Sequence, residues 1–464
     1  FMAIVIKDLA IEKIFLLLAA LFGFLYVFIL PPFQSVDENT HFYRAYQISQ
    51  GSFVSKNINT QIGDELPSSL SNFFNNHMRL IRNIDEKTNS ETIKKNFQIK
   101  TEPQNIKFTE FRNTSLYSPT CYISQVPGIL LGNILSDRIA VTFYLGRLCN
   151  LLFYIILAYL AIKTIPFYKI PLLCIALMPM TLSLASAYTS DVILFGLSFL
   201  WVSILLNILT NSEKLKIFSR KILYLTIISV FISLSKFYIL LLPLIFILPA
   251  SKFCSKKDYI GSILMIVGIS LLGAMYWAFC IKNLSINMNE LIANPDLQIS
   301  FIKSHPIKYI EVLAKTFVIK TPRLYITMVG VLGNQDTPLD FITYFIYPFL
   351  IYFGIKSDEF KFSLEKWQKL VIVLTLMLGT IITYTSLYLM WSPVANNIVL
   401  GLNGKYFIPL ILPLFLLFKS PNAKFNYTSV KYAIILVLIL ILLSSDFSLM
   451  HRFYNITPNL YYKI

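Results

Sequence analysis

Charged residues are scarce in this chain. Asp, Glu, Lys and Arg make up 14% of its 464 residues, 56% are hydrophobic, and the mean hydropathy is +0.65. Soluble domains carry nearer a quarter charged residues, so a large soluble enzyme is excluded and a polytopic membrane protein is expected. Cysteines are few as well. Cys121, Cys149, Cys174, Cys254 and Cys280 are odd in number, form no close pair and mostly sit in apolar runs, which speaks against a disulfide framework and against a zinc site. Histidine occurs only at positions 41, 77, 305 and 451. Glu38 and His41 have the Glu-x-x-His spacing of a helical metal site, but a di-iron centre needs a second copy and none is present. No metal or other cofactor is therefore expected. No internal repeat marks an inverted-repeat transporter. The first apolar run, Ile14 to Leu30, has no small-residue cleavage site and is followed by Pro31 and Pro32, so it is expected to be a retained span rather than a signal peptide.

The charge that is present is unevenly placed. Apolar runs suggest about eleven spans, near 14–30, 139–162, 170–187, 192–210, 222–235, 237–250, 259–281, 338–355, 369–390, 405–418 and 431–447. With the N-terminus inside, the cytoplasmic loops collect Lys163 and Lys169, then Lys214 to Lys221, Lys252 to Lys257, Lys356 to Lys369, and Lys419 with Lys424. The short outer loops near 188–191 and 391–404 contain no Lys or Arg. The net charge of +16 thus reads as membrane orientation, not as nucleic-acid binding. This topology requires that 118–136, "SPTCYISQVPGILLGNILS", does not cross, and its prolines and glycines suit an interfacial or re-entrant helix. The chain is then expected to be one all-α membrane domain over 1–464, with a large outer loop at 31–138 carrying juxtamembrane helices and a second outer loop at 282–337.

Just outside the first span lies "PPFQSVDENTHFYRAYQ", residues 31–47. Ser35 or Asp37 can cap a helix that runs to Ser49, with Gly51 ending it. Asp37 and Glu38 stand at its N-terminus, where the helix dipole favours ionised carboxylates, and a carboxylate there can take a proton from a hydroxyl. Three further polar positions fall at the same face: Asp191, also suited to capping the helix that follows it, Lys236 and Lys405. Arg147 lies about two turns inside a span, where an unpaired charge is expensive, so it requires an anion. Cations at this depth suit a lipid phosphate, and carboxylates suit activation of a hydroxyl. Glycosyl transfer from a lipid-phosphate sugar, lipid flipping and ion-coupled transport all remain open on these residues.

The first stretch, together with "YSPTCYISQVPG" (117–128), "LGRLCNLLFY" (145–154), "LMPMTLSLASAYTSD" (177–191), "SKFY" (235–238), "GVLGNQDTPL" (330–339) and "GLNGKYFIP" (401–409), resembles a family of bacterial polytopic membrane proteins catalogued as a domain of unknown function. That family is often encoded among genes for surface polysaccharides and is similar to the GT-C glycosyltransferases. Two departures occur: Val36 stands where the family usually has Pro, and Lys405 where it usually has Arg, which loses a bidentate fork for phosphate. The resemblance implies a GT-C-like bundle in the bacterial cytoplasmic membrane, a polyprenyl-phosphate-sugar donor, and a glycan or glycolipid acceptor at the outer face. It implies Asp37 as general base and Asp191 as the second acidic site residue; Glu38, beside Asp37, is expected to complete the catalytic set by orienting the base or binding sugar hydroxyls. His41, Arg44, Tyr117, Tyr122, Arg147, Lys236, Tyr238, Lys405 and Tyr406 are then expected to bind substrate. The rival readings are a lipid-linked-sugar flippase, a polysaccharide polymerase or ligase using a lipid-diphosphate donor, and a partner-binding protein without chemistry.

Overall fold

The computed structural model describes residues 9–235, 239–284, 293–358, 363–418 and 425–454. Lys236 and Tyr238, expected to bind substrate, lie outside these residues. The chain is mostly helical. In order, the elements that position the site are α1 (Ile11–Ile29), α2 (Glu38–Ser49), strands β1 (Lys56–Ile58), β2 (Gln61–Pro67) and β3 (Ile106–Glu110), α3 (Val126–Leu135), α4 (Ile139–Thr164), α5 (Asp191–Thr210), α6 (Lys256–Cys280), α7 (Pro306–Gly330), α8 (Lys366–Trp391) and α9 (Tyr427–Phe453).

Six of these, α1, α4, α5, α6, α8 and α9, are long and apolar enough to cross a membrane, rather than the eleven expected. The other five expected spans are short or broken, and proline is the recurring cause. The run 170–187 becomes two helices, Lys169–Ala176 and Pro179–Ala185, with Pro179 opening the second. The run 237–250 becomes a 3₁₀ segment, Ile239–Ile247, with Pro243 inside it. The run 405–418 divides into a 3₁₀ turn, Gly404–Phe407, and the helix Ile408–Phe415, which holds Pro413. Runs 222–235 and 338–355 form single helices, Arg220–Leu234 and Phe341–Lys356, of 15 and 16 residues. At 1.5 Å per residue these reach roughly 24 Å, short of a hydrocarbon core of about 30 Å. The expected non-crossing segment forms α3, ten residues or about 15 Å long. It lies close on α4, and a Cβ on Gly128 would meet the Leu145 carbonyl oxygen at 2.2 Å.

The two long segments expected at the outer face hold more structure than loops. Residues 31–138 are not all-α: β1, β2 and β3 form an antiparallel sheet in that order, with Lys56 opposite Gly63 and Gly63 opposite Glu110. The stretch 282–337 contains the helix Pro295–Ser304, the 25-residue α7 and a two-stranded hairpin. The first and last long helices run parallel. Lys431 Nζ donates to the Leu9 carbonyl at one end, and Tyr454 Oη to the Ile29 carbonyl at the other.

A second core joins the 31–138 segment to the bundle. Phe33, Phe42, Phe73, Phe143 and Tyr188 pack edge to face there, and His77 is buried among them. Its Nδ1–H donates to the Phe73 carbonyl at 2.8 Å, and its Nε2 accepts from Asn96. Burial, aided by the field of Arg147, pushes the imidazole down from 6.5 to about 4. Between those two values the unfolded chain binds a proton that the folded ring refuses. Stability contributed here is therefore complete above about pH 6.5 and falls as the pH drops towards 4, by up to about 3 kcal/mol. Thermal unfolding in detergent from pH 7.5 to 4.5 should show this slope, and His77→Gln should flatten it. An unchanged slope in the variant would remove His77 as its source.

Candidate functional site

The helix expected after the first span forms as α2, but its first residues divide their tasks. Asp37 occupies the N-cap position with φ 57° and ψ 18°, the left-handed region, and its side chain does not cap the helix. Asp tolerates this conformation better than most residues, and such strain is retained where surrounding structure enforces it. The Asp37 carboxylate is exposed and has no hydrogen bond or ion pair among the described residues.

Glu38 is the opposite case. It is fully buried and takes a two-pronged ion pair from the equally buried Arg147, Nε to Oε1 at 2.8 Å and Nη2 to Oε2 at 2.7 Å. The rest of the guanidinium donates to the carbonyls of Val27 and Leu30 at the end of α1 and of Pro31 just beyond it. All five Arg147 donors are thereby used. Arg147 was expected to meet a lipid phosphate; its anion is instead Glu38, and it has no donor left to offer. Glu38 likewise has no access to a substrate proton, against its expected catalytic part. Its Oε1 also accepts from the Tyr188 backbone N–H at 3.0 Å.

Through that contact Glu38 ties the start of α2 to the loop that leads into α5. The same loop is held by Gln125 Nε2 on the Thr189 carbonyl, 2.6 Å, and by Asn150 Nδ2 on the Ala187 carbonyl, 2.8 Å. It delivers Asp191 at the first turn of α5. Asp191 was also a candidate helix cap, but the N-cap is Ser190, and the Asp191 carboxylate pairs with Lys405 Nζ at 2.9 Å, both side chains being almost fully buried. Lys405 is held in turn by its neighbours. Its backbone N–H donates to Asn403 Oδ1, and the Gly404 N–H donates to Thr327 Oγ1 on α7. A Cβ on Gly404 would stand 1.9 Å from the Leu324 carbonyl oxygen, so only glycine lets this turn lie flat on α7.

Tyr117 feels the field of these groups. Burial first, then Tyr406, Asp191 and Asp37, push its phenol well above the ordinary range, while Lys405 acts the other way. Both carboxylates and the lysine thus act on one hydroxyl, although 154 positions separate Asp37 from Asp191. His41 lies parallel to the Tyr117 ring, centroids 6.0 Å apart and planes 9° apart, and its Nδ1 is 2.9 Å from Tyr122 Oη. The Tyr406 ring is 5.8 Å from Lys405 Nζ. Arg44, expected to bind substrate, is fully buried and faces the protein instead. It donates to Gln47, to Ser55 Oγ and to the carbonyls of Phe53 and Tyr117, and burial pushes its pKa down to about 10. It holds the backbone of Tyr117.

Beside the Lys405 turn opens an apolar groove of about 1050 Å³. It is lined from Phe407 to Phe418 along one chain segment and from Tyr347 to Lys356 along another, with Leu376 and Tyr384 of α8 opposite. Sequence reasoning missed Ser190, Asn403, Gln125, Asn150 and Thr327. The only signal for the first two was their place beside Asp191 and Lys405 in polar stretches flanking apolar runs. A family model described as predicted membrane protein, DUF2142, matches residues 19–414. No curated protein and no solved structure matches the chain.

Proposed function

Since the chain belongs to the DUF2142 family of predicted membrane proteins, and is an integral multi-pass membrane protein, we propose that it is a membrane glycosyltransferase of GT-C type. It transfers a sugar from a polyprenyl-phosphate donor to a surface glycan or glycolipid at the outer face of a bacterial cytoplasmic membrane. The observation that carries this reading is the pairing of a buried lysine with an apolar groove. Lys405 lies two residues from Phe407, which lines the groove, so a phosphate at Lys405 can carry its isoprenoid chain along a wall of lipid-facing side chains.

The reaction is a single displacement. The acceptor oxygen attacks the anomeric carbon while the Asp37 carboxylate takes its proton. The bond from that carbon to the phosphate oxygen breaks, with inversion, and its electron pair leaves on the polyprenyl phosphate. Lys405 meets the charge that develops there. Tyr117, stacked on His41, offers an aromatic face for the sugar. Asp37 then returns its proton to water. Phosphate is a fair leaving group, so no general acid is needed.

The same groove admits a lipid-diphosphate donor, which a polymerase or ligase would use. The test is to purify the protein, extract bound lipid and identify the headgroup by mass spectrometry. A polyprenyl monophosphate, with or without a sugar, is the expected result. A diphosphate-linked oligosaccharide would replace the reading with the ligase. Phospholipid alone, together with no stabilisation by added polyprenyl phosphate, would end it.

A further inference from the structure

Two buried polar groups beside the Asp191–Lys405 pair have no hydrogen-bond partner among the described residues. One is Ser190 Oγ, on the residue before Asp191, and the other is Asn403 Nδ2, two residues before Lys405. Ser190 is 0% and Asn403 4% exposed. An unpaired buried donor costs free energy, and a folded chain retains it at a site where something else supplies the acceptor. The neighbouring groups explain why neither is satisfied internally. The Asn403 amide uses its oxygen to hold the Lys405 N–H, which leaves its NH₂ to face elsewhere. Ser190 occupies the N-cap of α5 without making the usual cap bond. Thr189 Oγ1, not Ser190 Oγ, accepts from the Asp191 N–H.

We propose that Ser190 Oγ and Asn403 Nδ2 join Lys405 Nζ in an oxyanion site that binds a phosphate monoester. A hydroxyl, an amide NH₂ and an ammonium supply only donors to such a ligand, and a phosphate monoester is an acceptor with oxygens enough for all three. Asp191 holds the lysine in place until the phosphate arrives. The start of α5 adds the positive end of a 20-residue helix to the same place. A carboxylate ligand would saturate fewer of these donors, and a neutral sugar would leave the lysine without a new anion. The proposal rests on the transferase reading for its ligand's lipid portion, but the donor set by itself selects the phosphate.

The test uses the full chain in detergent micelles, with thermal unfolding read against added inorganic phosphate and added short-chain polyprenyl monophosphate. Ser190→Ala removes one donor. Asn403→Asp keeps the oxygen that holds the Lys405 N–H and replaces the NH₂ by oxygen. Ser190→Ala should keep or raise the melting temperature of the free protein, because an unpaired donor is gone, whereas Asn403→Asp buries a carboxylate oxygen there and should lower it modestly. Each should weaken polyprenyl phosphate binding about tenfold or more, as loss of a bond to a charged group does. Stabilisation of the wild type by inorganic phosphate as well as by the lipid marks the headgroup as the recognised part; stabilisation by the lipid alone with both variants unimpaired in binding overturns the oxyanion site and leaves the transferase reading standing. A free variant that melts well below the wild type and binds normally assigns these groups to the fold and overturns the proposal. No response of the wild type to either ligand overturns both.

Discussion

Asp37→Asn should abolish sugar transfer while the protein folds and inserts as before. Asn enters the left-handed region as readily as Asp, so the φ of 57° at this position survives the change. The carboxylate has no hydrogen bond or ion pair among the described residues and is exposed, so its replacement should move stability by only about 0.5 kcal/mol. What the change removes is a base, worth about a hundred- to ten-thousandfold in rate. Asp37→Glu should recover part of the activity, since the carboxylate is retained but displaced by one methylene. Asp191→Asn provides the contrast. It should lose both activity and stability, because it removes the carboxylate that pairs with the buried Lys405 ammonium. Surface glycan analysis in a host carrying each variant, beside melting temperatures of the purified proteins, separates these outcomes. Wild-type glycan with Asp37→Asn would remove Asp37 from the mechanism.

The difference between these two aspartates marks how far the sequence could be read. That both are acids beside apolar runs was visible, and so was the need of Arg147 for an anion two turns into a span. The partner was not, because Glu38 and Arg147 are 109 positions apart and only α1, α2 and α4 packed together bring them into contact. Glu38 is adjacent to Asp37, and nothing local distinguishes the acid that turns inward from the one that turns out. The backbone does so, through the left-handed turn at Asp37. The helical character and the short α3 followed from hydropathy and from proline and glycine. The expected number of spans did not hold, because hydropathy windows count apolar runs and do not see where Pro179, Pro243 or Pro413 divides them. The sheet within residues 31–138 was illegible for a related reason. Its three strands are short, and β1 is exposed throughout, so no alternation marks it. Lys405 was visible as a charge at a membrane edge. The surface it rests on, Gly404 against Leu324 of α7, is a contact made across 80 residues.

Breaking the Glu38–Arg147 pair should have the largest effect on stability of any single change in the molecule. Both side chains are fully buried, and removing one partner leaves the other as an uncompensated charge, which costs about 3–5 kcal/mol. Arg147→Ala should be worse than Glu38→Ala, since it also abandons the carbonyls of Val27, Leu30 and Pro31 at the end of α1. Arg147→Lys keeps the charge but cannot span Glu38 and three carbonyls at once, so it should fall between. Glu38→Gln should be milder than Glu38→Ala, because an amide oxygen in the place of Oε1 can still accept from Arg147 Nε and from the Tyr188 N–H. The double variant Glu38→Ala with Arg147→Ala should be no less stable than Arg147→Ala alone, for it contains no stranded charge. That non-additivity, measured by unfolding in detergent, is the signature of a buried pair; two additive losses would mean that the groups act separately. Activity should respond differently from stability. Glu38, the residue after Asp37, is bonded to the loop that carries Asp191, so Glu38→Gln should lower kcat more than it changes KM, by letting the two aspartates drift relative to one another. A variant that melts like the wild type yet turns over slowly would separate this positioning role from simple support of the fold, and unaltered kcat in a well-folded Glu38→Gln protein would confine Glu38 to holding the helices together.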